Sequence, residues 1–285
     1  MVQPLAWVSA REARGQDEDE PLALAALARA GVETEVVCWD DPEVDWSRFD
    51  RAVLRSTWDY HRHLDAFLTW LDEVDGLTEL VNPLALVRWS LDKHYLADLE
   101  GAGVPITPTV YIAPGEQSVF PEGDFVVKPA VGAGSQEAAS YGADQQGGAL
   151  AHIAALHAAG KVALVQPHLG SVATEGEWPM VFFDGVFSHC ANKHVDLPRA
   201  RTLGGLFAPE STRAYRAEAA QIDVARAALE VVRSRLGTPT YARIDLVRDD
   251  AGQFCVMEVE LVEPSLFLRE GGPAATDRLV AALAG

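Results

Sequence analysis

The sequence predicts an α/β protein in which a helix-covered parallel sheet is followed by two α+β units. Three observations carry this reading. The first ninety residues alternate strand-like and helix-like segments; the remaining chain groups its strands around hairpin signals; and a C-terminal strand pair carries clustered charge on one side. A β-α-β-α-β order implies parallel strands with helices laid across them.

Taken in order, Leu5 to Ser9 is a short apolar run, Pro21 to Ala30 is helical and stops at Gly31, and Glu33 to Trp39 alternates as a strand does. Arg51 to Arg55 is a strand, Leu64 to Val74 a helix, and Glu79 to Val81 a strand. Ligands of such sheets bind beyond the carboxyl ends of the strands. Arg55-Ser-Thr-Trp-Asp-Tyr60 is therefore a candidate substrate segment, with Arg55, Ser56, Thr57 and Asp59 as its polar groups. Ser56, Thr57 or Asp59 can equally serve as N-caps of the next helix.

A second unit begins near Asn82-Pro83. It reads as a helix over Ser90 to Glu100, strands at Thr107 to Ile112 and Asp124 to Lys128, and a small-residue loop from Ala130 to Ser140. A helix around Gly148 to Ala159 and a strand at Val162 to Gln166 complete it. The third unit has strands at Trp178 to Phe183 and Val186 to Lys193 joined by Asp184-Gly185, a strong hairpin signal. A long helix from about Thr212 to Leu236 and the charged hairpin follow. The units are bounded as residues 1–85, 86–166 and 167–285.

Composition narrows the function. With 48% hydrophobic and 23% charged residues, the 285-residue chain is an ordinary globular protein. Its net charge of −19 argues against nucleic acid or an anionic membrane as partner. No apolar run approaches about 18 residues, and the N-terminus lacks the pattern of a secretory signal. Cys38, Cys190 and Cys255 are odd in number and far apart, which fits a reducing cytoplasm and no disulfide framework. A homodimer is compatible with all of this.

The charged hairpin is Tyr241-Ala-Arg-Ile-Asp-Leu-Val, a turn over Arg248 to Gln253, and Phe254-Cys-Val-Met-Glu-Val-Glu-Leu261. Alternation puts Arg243 and Asp245 on one side with Tyr241, and Glu258 and Glu260 on one side with Phe254 and Val256. Cys255, Met257 and Val259 are left for the other face. Two carboxylates about 5 Å apart repel by roughly 3 kcal/mol at an effective dielectric of about 20. A divalent cation is the natural compensation, and an all-oxygen set favours magnesium or manganese over zinc. On this argument, neutralising Glu258 should leave the metal-free protein as stable as before or slightly more so. A solvated sheet face shows the same alternation.

Other chemistries find less support. Phe125-Val-Val-Lys-Pro129 ends a strand on Lys128 and leads into Val131-Gly-Ala-Gly-Ser-Gln136, a loop small enough for backbone amides to approach a phosphate. It matches neither the dinucleotide fingerprint nor a Walker loop, and a mobile surface loop would look alike. Lys93 alone reads as a surface lysine. His189 and His194 fall on opposite strand faces, and His61 and His63 are badly spaced for a shared ligand. No serine or cysteine hydrolase signature is present. Glu258 and Glu260 as a glycosidase pair conflict with Arg243 on the same face, which would lower the pKa a general acid needs raised.

Asp92-Lys93, Val126-Val-Lys-Pro129, the glycine loop, Leu164-Val-Gln-Pro-His168, Gly176-Glu177, Lys193, Tyr241-Ala-Arg-Ile-Asp245 and Met257-Glu-Val-Glu260 together resemble the ATP-grasp superfamily. Arg55-Ser-Thr-Trp-Asp-Tyr60, Val87 to Lys93, Gly176-Glu-Trp178 and Glu258 to Leu266 look like the branch that includes the cyclo-ligase of D-cycloserine biosynthesis, which closes O-ureido-D-serine. The resemblance implies an ATP-grasp fold: an N-terminal Rossmann-like pre-ATP-grasp domain for substrate, then a lid and a catalytic subdomain enclosing ATP. It implies phosphate contacts for Lys93 and Lys128, an adenine hinge over Gln166, Pro167, His168 and Leu169, and ribose contact for Glu177. Asp245, Glu258 and Glu260 would hold Mg2+ or Mn2+, Lys193 would reach the transferred phosphoryl group, and Arg243 would face developing charge. Ser265, in Glu263-Pro-Ser-Leu266, would reach the small amino-acid-like substrate from the catalytic side. The chain departs from the pattern at Glu260, where the superfamily often has Asn, and over His194 to Arg201.

The implied activity is ATP-dependent activation of a carboxylate as an acylphosphate, followed by attack of a nitrogen nucleophile. A non-catalytic nucleotide-binding module and a magnesium-dependent hydrolase are the alternatives.

Overall fold

Period-two alternation and β-branched runs build three sheets in the computed structural model, which describes residues 3–134, 136–195 and 210–284. Strands β1 (Leu5–Ser9), β2 (Thr34–Cys38), β3 (Arg51–Ser56) and β4 (Glu79–Val81) form a parallel sheet in the order β2-β1-β3-β4. These strands agree with the expected β-α-β-α-β segment. Trp39, Trp46, Phe67 and Trp70 fill one side of this sheet, where ring edges meet ring faces at centroid separations of 5.1 to 6.0 Å.

A second, antiparallel sheet comprises β5 (Val110–Ile112), β6 (Phe125–Pro129), β7 (Ala139–Tyr141) and β8 (Ala163–Pro167), ordered β5-β8-β6-β7. The helix Gln146–Ala158 covers it through Ala149, Ile153 and Leu156. The third, also antiparallel, holds β9 (Trp178–Phe183), β10 (Val186–Val195), β11 (Glu210–Tyr215), β12 (Tyr241–Arg248) and β13 (Phe254–Glu260) in the order β11-β10-β9-β12-β13. A parallel sheet is thus followed by two antiparallel ones, as the expected α/β class requires.

Three local differences from the sequence reading matter for the site. The helix expected over Ser90 to Glu100 is two helices, Leu84–Leu91 and Tyr95–Gly101, interrupted at Asp92, whose backbone is extended. Both pack through Leu86, Tyr95, Leu96 and Leu99 into the core of the third sheet, although the sequence groups residues 86–166 as one unit. The helix expected from Thr212 is strand β11 followed by a helix Ala219–Leu236, because Glu218 and Gln221 form a reciprocal capping box that starts it there. In the charged hairpin, Asp245 pairs with Glu258 but Leu246 pairs with Val256, so Met257 is the extra residue of a β-bulge. The bulge reverses the alternation: Phe254 and Val256 join Val259 in the core, while Glu258 and Glu260 turn away from them.

Candidate active site

Between the second and third sheets lies a cavity that Trp58 and Tyr60, in the segment after β3, also line. Arg243 lies directly across from Glu260, and Asp245 across from Glu258, so the hairpin register alone brings four charges together. One carboxylate oxygen from each of Asp245, Glu258 and Glu260 lies within 4.8 Å of the others. Arg243 donates from Nε and Nη2 to the two oxygens of Asp245, both at 2.8 Å, and also reaches Glu260.

Opposite this hairpin, Lys128 at the end of β6 donates to Glu258 at 2.7 Å. The interruption after Leu91 exposes Lys93 to the glycine loop: its backbone N–H bonds to the Ala130 carbonyl at 3.0 Å, and its ammonium to the Gly132 carbonyl at 2.9 Å. Lys193 on β10 pairs with Glu177 at 2.7 Å and lies 3.7 Å from Asp245. Glu177 and Lys193 also exchange backbone hydrogen bonds of 2.7 and 2.8 Å. Gly176 permits this approach, since a Cβ there would sit 2.5 Å from the Lys193 carbonyl oxygen. Gln166, Pro167, His168 and Leu169 form another stretch of wall, with the His168 N–H bonded to the Asp124 carbonyl at 2.9 Å.

Electrostatics sorts these carboxylates. Burial works to raise Glu258, but Lys128, Lys93 and Lys193 outweigh it and hold the group well below the usual carboxylate range. Glu260 goes the other way, pushed up to about 7 by burial and by the charges of Asp245 and Glu258. Burial lowers Lys193, yet Glu177 and Asp245 hold it above its ordinary value. Burial also raises Glu177, against the charge of Lys193, which lowers it. The cationic side chains therefore leave Glu260 incompletely compensated.

Of the expected substrate residues, Ser265 lines the cavity, and its carbonyl accepts from Arg243 Nη1 at 3.1 Å. Arg55, Ser56, Thr57 and Asp59 do not line it. Alternation puts Arg55 on the face of β3 that carries Val53, where its guanidinium lies over Trp7 and Tyr241 at 5.6 and 5.3 Å. It donates to the Pro264 carbonyl at 2.7 Å and is fully buried. Ser56 donates to the Ser9 hydroxyl, Thr57 is buried, and Asp59 accepts from the Trp39 indole at 2.8 Å. Trp58 and Tyr60, passed over in the sequence, are the members of this segment that reach the cavity wall. Glu263 and Phe267 were also missed, because the alternation that locates strand residues ends at Glu260 and gives no direction for a loop.

Arg55 thus anchors the loop that follows β13. Arg55→Ala is expected to cost about 2 to 4 kcal/mol in chemical denaturation, since it unpairs a buried carbonyl and removes the charge stacked on two rings. A variant as stable as the parent, with only the KM for the acceptor raised, would restore the direct substrate role.

Residues 5–82 match the family described as D-cycloserine synthetase DcsG, N-terminal domain. The cycloserine biosynthesis protein DcsG of Streptomyces lavendulae is 38% identical over 274 residues, covering 88% of each chain. The crystal structure of D-cycloserine synthetase DcsG superposes with a TM-score of 0.91 over 98% of both chains. At 15% identity, D-alanine–D-alanine ligase from Bacillus anthracis shares the fold, with a TM-score of 0.71 over 100% of this chain and 96% of the other. The lysines around the cavity, the carboxylate cluster and these relatives converge: the chain belongs to the DcsG family of ATP-grasp enzymes and is an ATP-dependent ligase that forms a C–N bond.

Proposed function

We propose that the protein activates the carboxylate of a small amino-acid substrate with ATP and closes it, or joins it, through a nitrogen nucleophile, ring closure to D-cycloserine being the reaction expected. The observation that carries this reading is the meeting of Lys93, Lys128, Lys193 and Arg243 with Asp245, Glu258 and Glu260 around one cavity. Cations from separate elements suit a triphosphate, which a hydrolase using the acidic cluster alone would not need.

Lys93 and Lys128 are assigned to the phosphates, the wall from Gln166 to Leu169 to the adenine edge, and Glu177 to the ribose hydroxyls. Asp245, Glu258 and Glu260 fit a hard cation: all donors are oxygens, they converge within 4.8 Å, and Glu260 is left short of positive charge. When bound there, Mg2+ supplies charge neutralisation for the transferring phosphoryl group.

Phosphoryl transfer breaks the bond between the γ-phosphorus and the bridging oxygen and releases ADP; the substrate carboxylate oxygen takes the phosphorus. Lys193 stabilises the charge that spreads over the phosphoryl oxygens. The nitrogen lone pair then attacks the acyl carbon, inorganic phosphate leaves with the C–O bonding pair, and the nitrogen loses its proton; with O-ureido-D-serine that nitrogen carries a carbamoyl group, so water must also cleave its N–C bond, releasing carbon dioxide and ammonia, to give D-cycloserine. Arg243 faces the tetrahedral oxyanion, held in place by Asp245 and the Ser265 carbonyl before the reaction begins. Ser265 contributes to the substrate side, and the loop over Ala130 to Ser140 covers the nucleotide to keep water from the acylphosphate.

The free thiols of Cys38, Cys190 and Cys255 suit a reducing cytoplasm. No helix among the described residues is long and apolar enough to cross a membrane. The altered stretch His194 to Arg201 bears on the acceptor, but residues 196–201 lie outside the described residues.

The test is turnover of O-ureido-D-serine with ATP, followed as ADP and ring product released in equal amounts; ATP hydrolysis without a C–N product would overturn the reading. Lys128→Met should weaken a non-hydrolysable ATP analogue by about 30-fold, from loss of a charge-assisted phosphate contact. Calorimetric titration reads this directly, and unchanged affinity would remove Lys128 from the nucleotide site.

A further inference from the structure

Glu263 is 7% exposed, yet it forms part of the cavity wall. Its backbone is held from several directions. The Trp58 indole donates to its carbonyl at 3.0 Å, and Arg55 donates to the next carbonyl at 2.7 Å. Asp19 accepts from the N–H groups of Leu266 and Leu268. The side chain therefore starts from a fixed point on a loop tied to both the first and third sheets.

Apart from Glu210, which lies on the wall but is solvent-exposed, the other carboxylates of the site each have a cation. Glu177 has Lys193, Glu258 has Lys128, and Glu260 and Asp245 share Arg243. Glu263 has none within ion-pair distance among the described residues, and it stands outside the converging carboxylate trio. Burial first, and the charge of Glu260 second, push its carboxyl up to about 8. A buried carboxylate without a partner costs stability, and a loop position with only a structural task would be better filled by an apolar side chain, as at the neighbouring Val262. Such a group facing a cavity is a binding group for a cation that arrives from outside.

We propose that Glu263 is the specificity-determining residue that binds the free ammonium of the amino-acid substrate. This rests on the ligase reading and deepens it. Arg243 and Lys193 take the end of the substrate where charge develops on oxygen; Glu263 takes the positively charged end. The site thereby selects an amino acid over a simple carboxylic acid, because only the ammonium repairs the unpaired carboxylate.

The experiment compares the parent enzyme with Glu263→Gln, which keeps size and removes charge. With O-ureido-D-serine as the varied substrate, the variant's KM should rise at least about 10-fold while the KM for ATP stays within about 2-fold. In calorimetry with Mg2+ and ADP present, D-cycloserine should bind the variant at least about 10-fold more weakly than the parent. Isoxazolidin-3-one, the same ring without the amine, should bind both alike. A variant with the parent's KM for O-ureido-D-serine would overturn the assignment, as would equal weakening of D-cycloserine and isoxazolidin-3-one. Failure of the parent enzyme itself to consume ATP with O-ureido-D-serine would instead overturn the ligase reading.

Discussion

Glu258→Gln is expected to lower turnover by at least about 1,000-fold while destabilising the metal-free protein by about 1 to 3 kcal/mol. The first effect follows from removing a charged oxygen from the three that converge within 4.8 Å. The second reverses the expectation drawn from the sequence, in which like-charge repulsion alone made neutralisation harmless. Repulsion is real, but Lys128 reaches across from β6 and pairs with Glu258 at 2.7 Å, with Lys93 and Lys193 adding to it. Glu258 is depressed in the folded state, so its contribution is present above the unfolded carboxylate value near 4.5 and is lost as the pH falls through the lower folded value. Urea titrations at pH 7 should therefore separate parent and variant, and the gap should close progressively in acid. A metal-free variant that is more stable than the parent at pH 7 would mean that repulsion within the carboxylate cluster outweighs the Lys128 pair.

Arg243→Met is expected to have the largest effect on stability and a comparable one on rate. Asp245 is 1% exposed and both its oxygens accept from this guanidinium, so removing the cation leaves a buried carboxylate dependent on Lys193 at 3.7 Å. Breaking a buried pair from one side costs about 3 to 5 kcal/mol. If Arg243 also faces the oxyanion, turnover at saturating substrates should fall by about 100- to 1,000-fold. Arg243→Lys separates the two effects. It keeps the charge but not the planar fork that bonds Asp245, Glu260 and the Ser265 carbonyl together. Recovered stability with turnover still depressed is the expected result; recovery of both would reduce Arg243 to a structural role.

The charged hairpin shows where sequence reasoning succeeded and where it stopped. The presence of Arg243, Asp245, Glu258 and Glu260 on facing strands could be read because strand alternation is local and a short turn constrains which residues can meet. The pairings Arg243 with Glu260 and Asp245 with Glu258 agree with that reading. The bulge at Met257 could not be read. It inserts one residue without any composition signal and moves Phe254 and Val256 to the core side. A strictly alternating strand would have placed them beside the glutamates.

Arg55 and Glu263 make the same point at longer range. Nothing near Arg55 in the chain says that Tyr241, 186 positions later, supplies the ring beneath it, or that the Pro264 carbonyl accepts its hydrogen bond. The sequence by itself determined most of the strand and helix order, the acidic hairpin and, through the order of its motifs, the family resemblance, because period, turn chemistry and motif spacing are written along the chain. Only the tertiary structure decided that Arg55 is buried, that Lys128 compensates Glu258, and that Glu263 enters the cavity without a cation. Those outcomes depend on which segments pack against one another, and burial and charge pairing at such contacts are set by groups far apart in the chain.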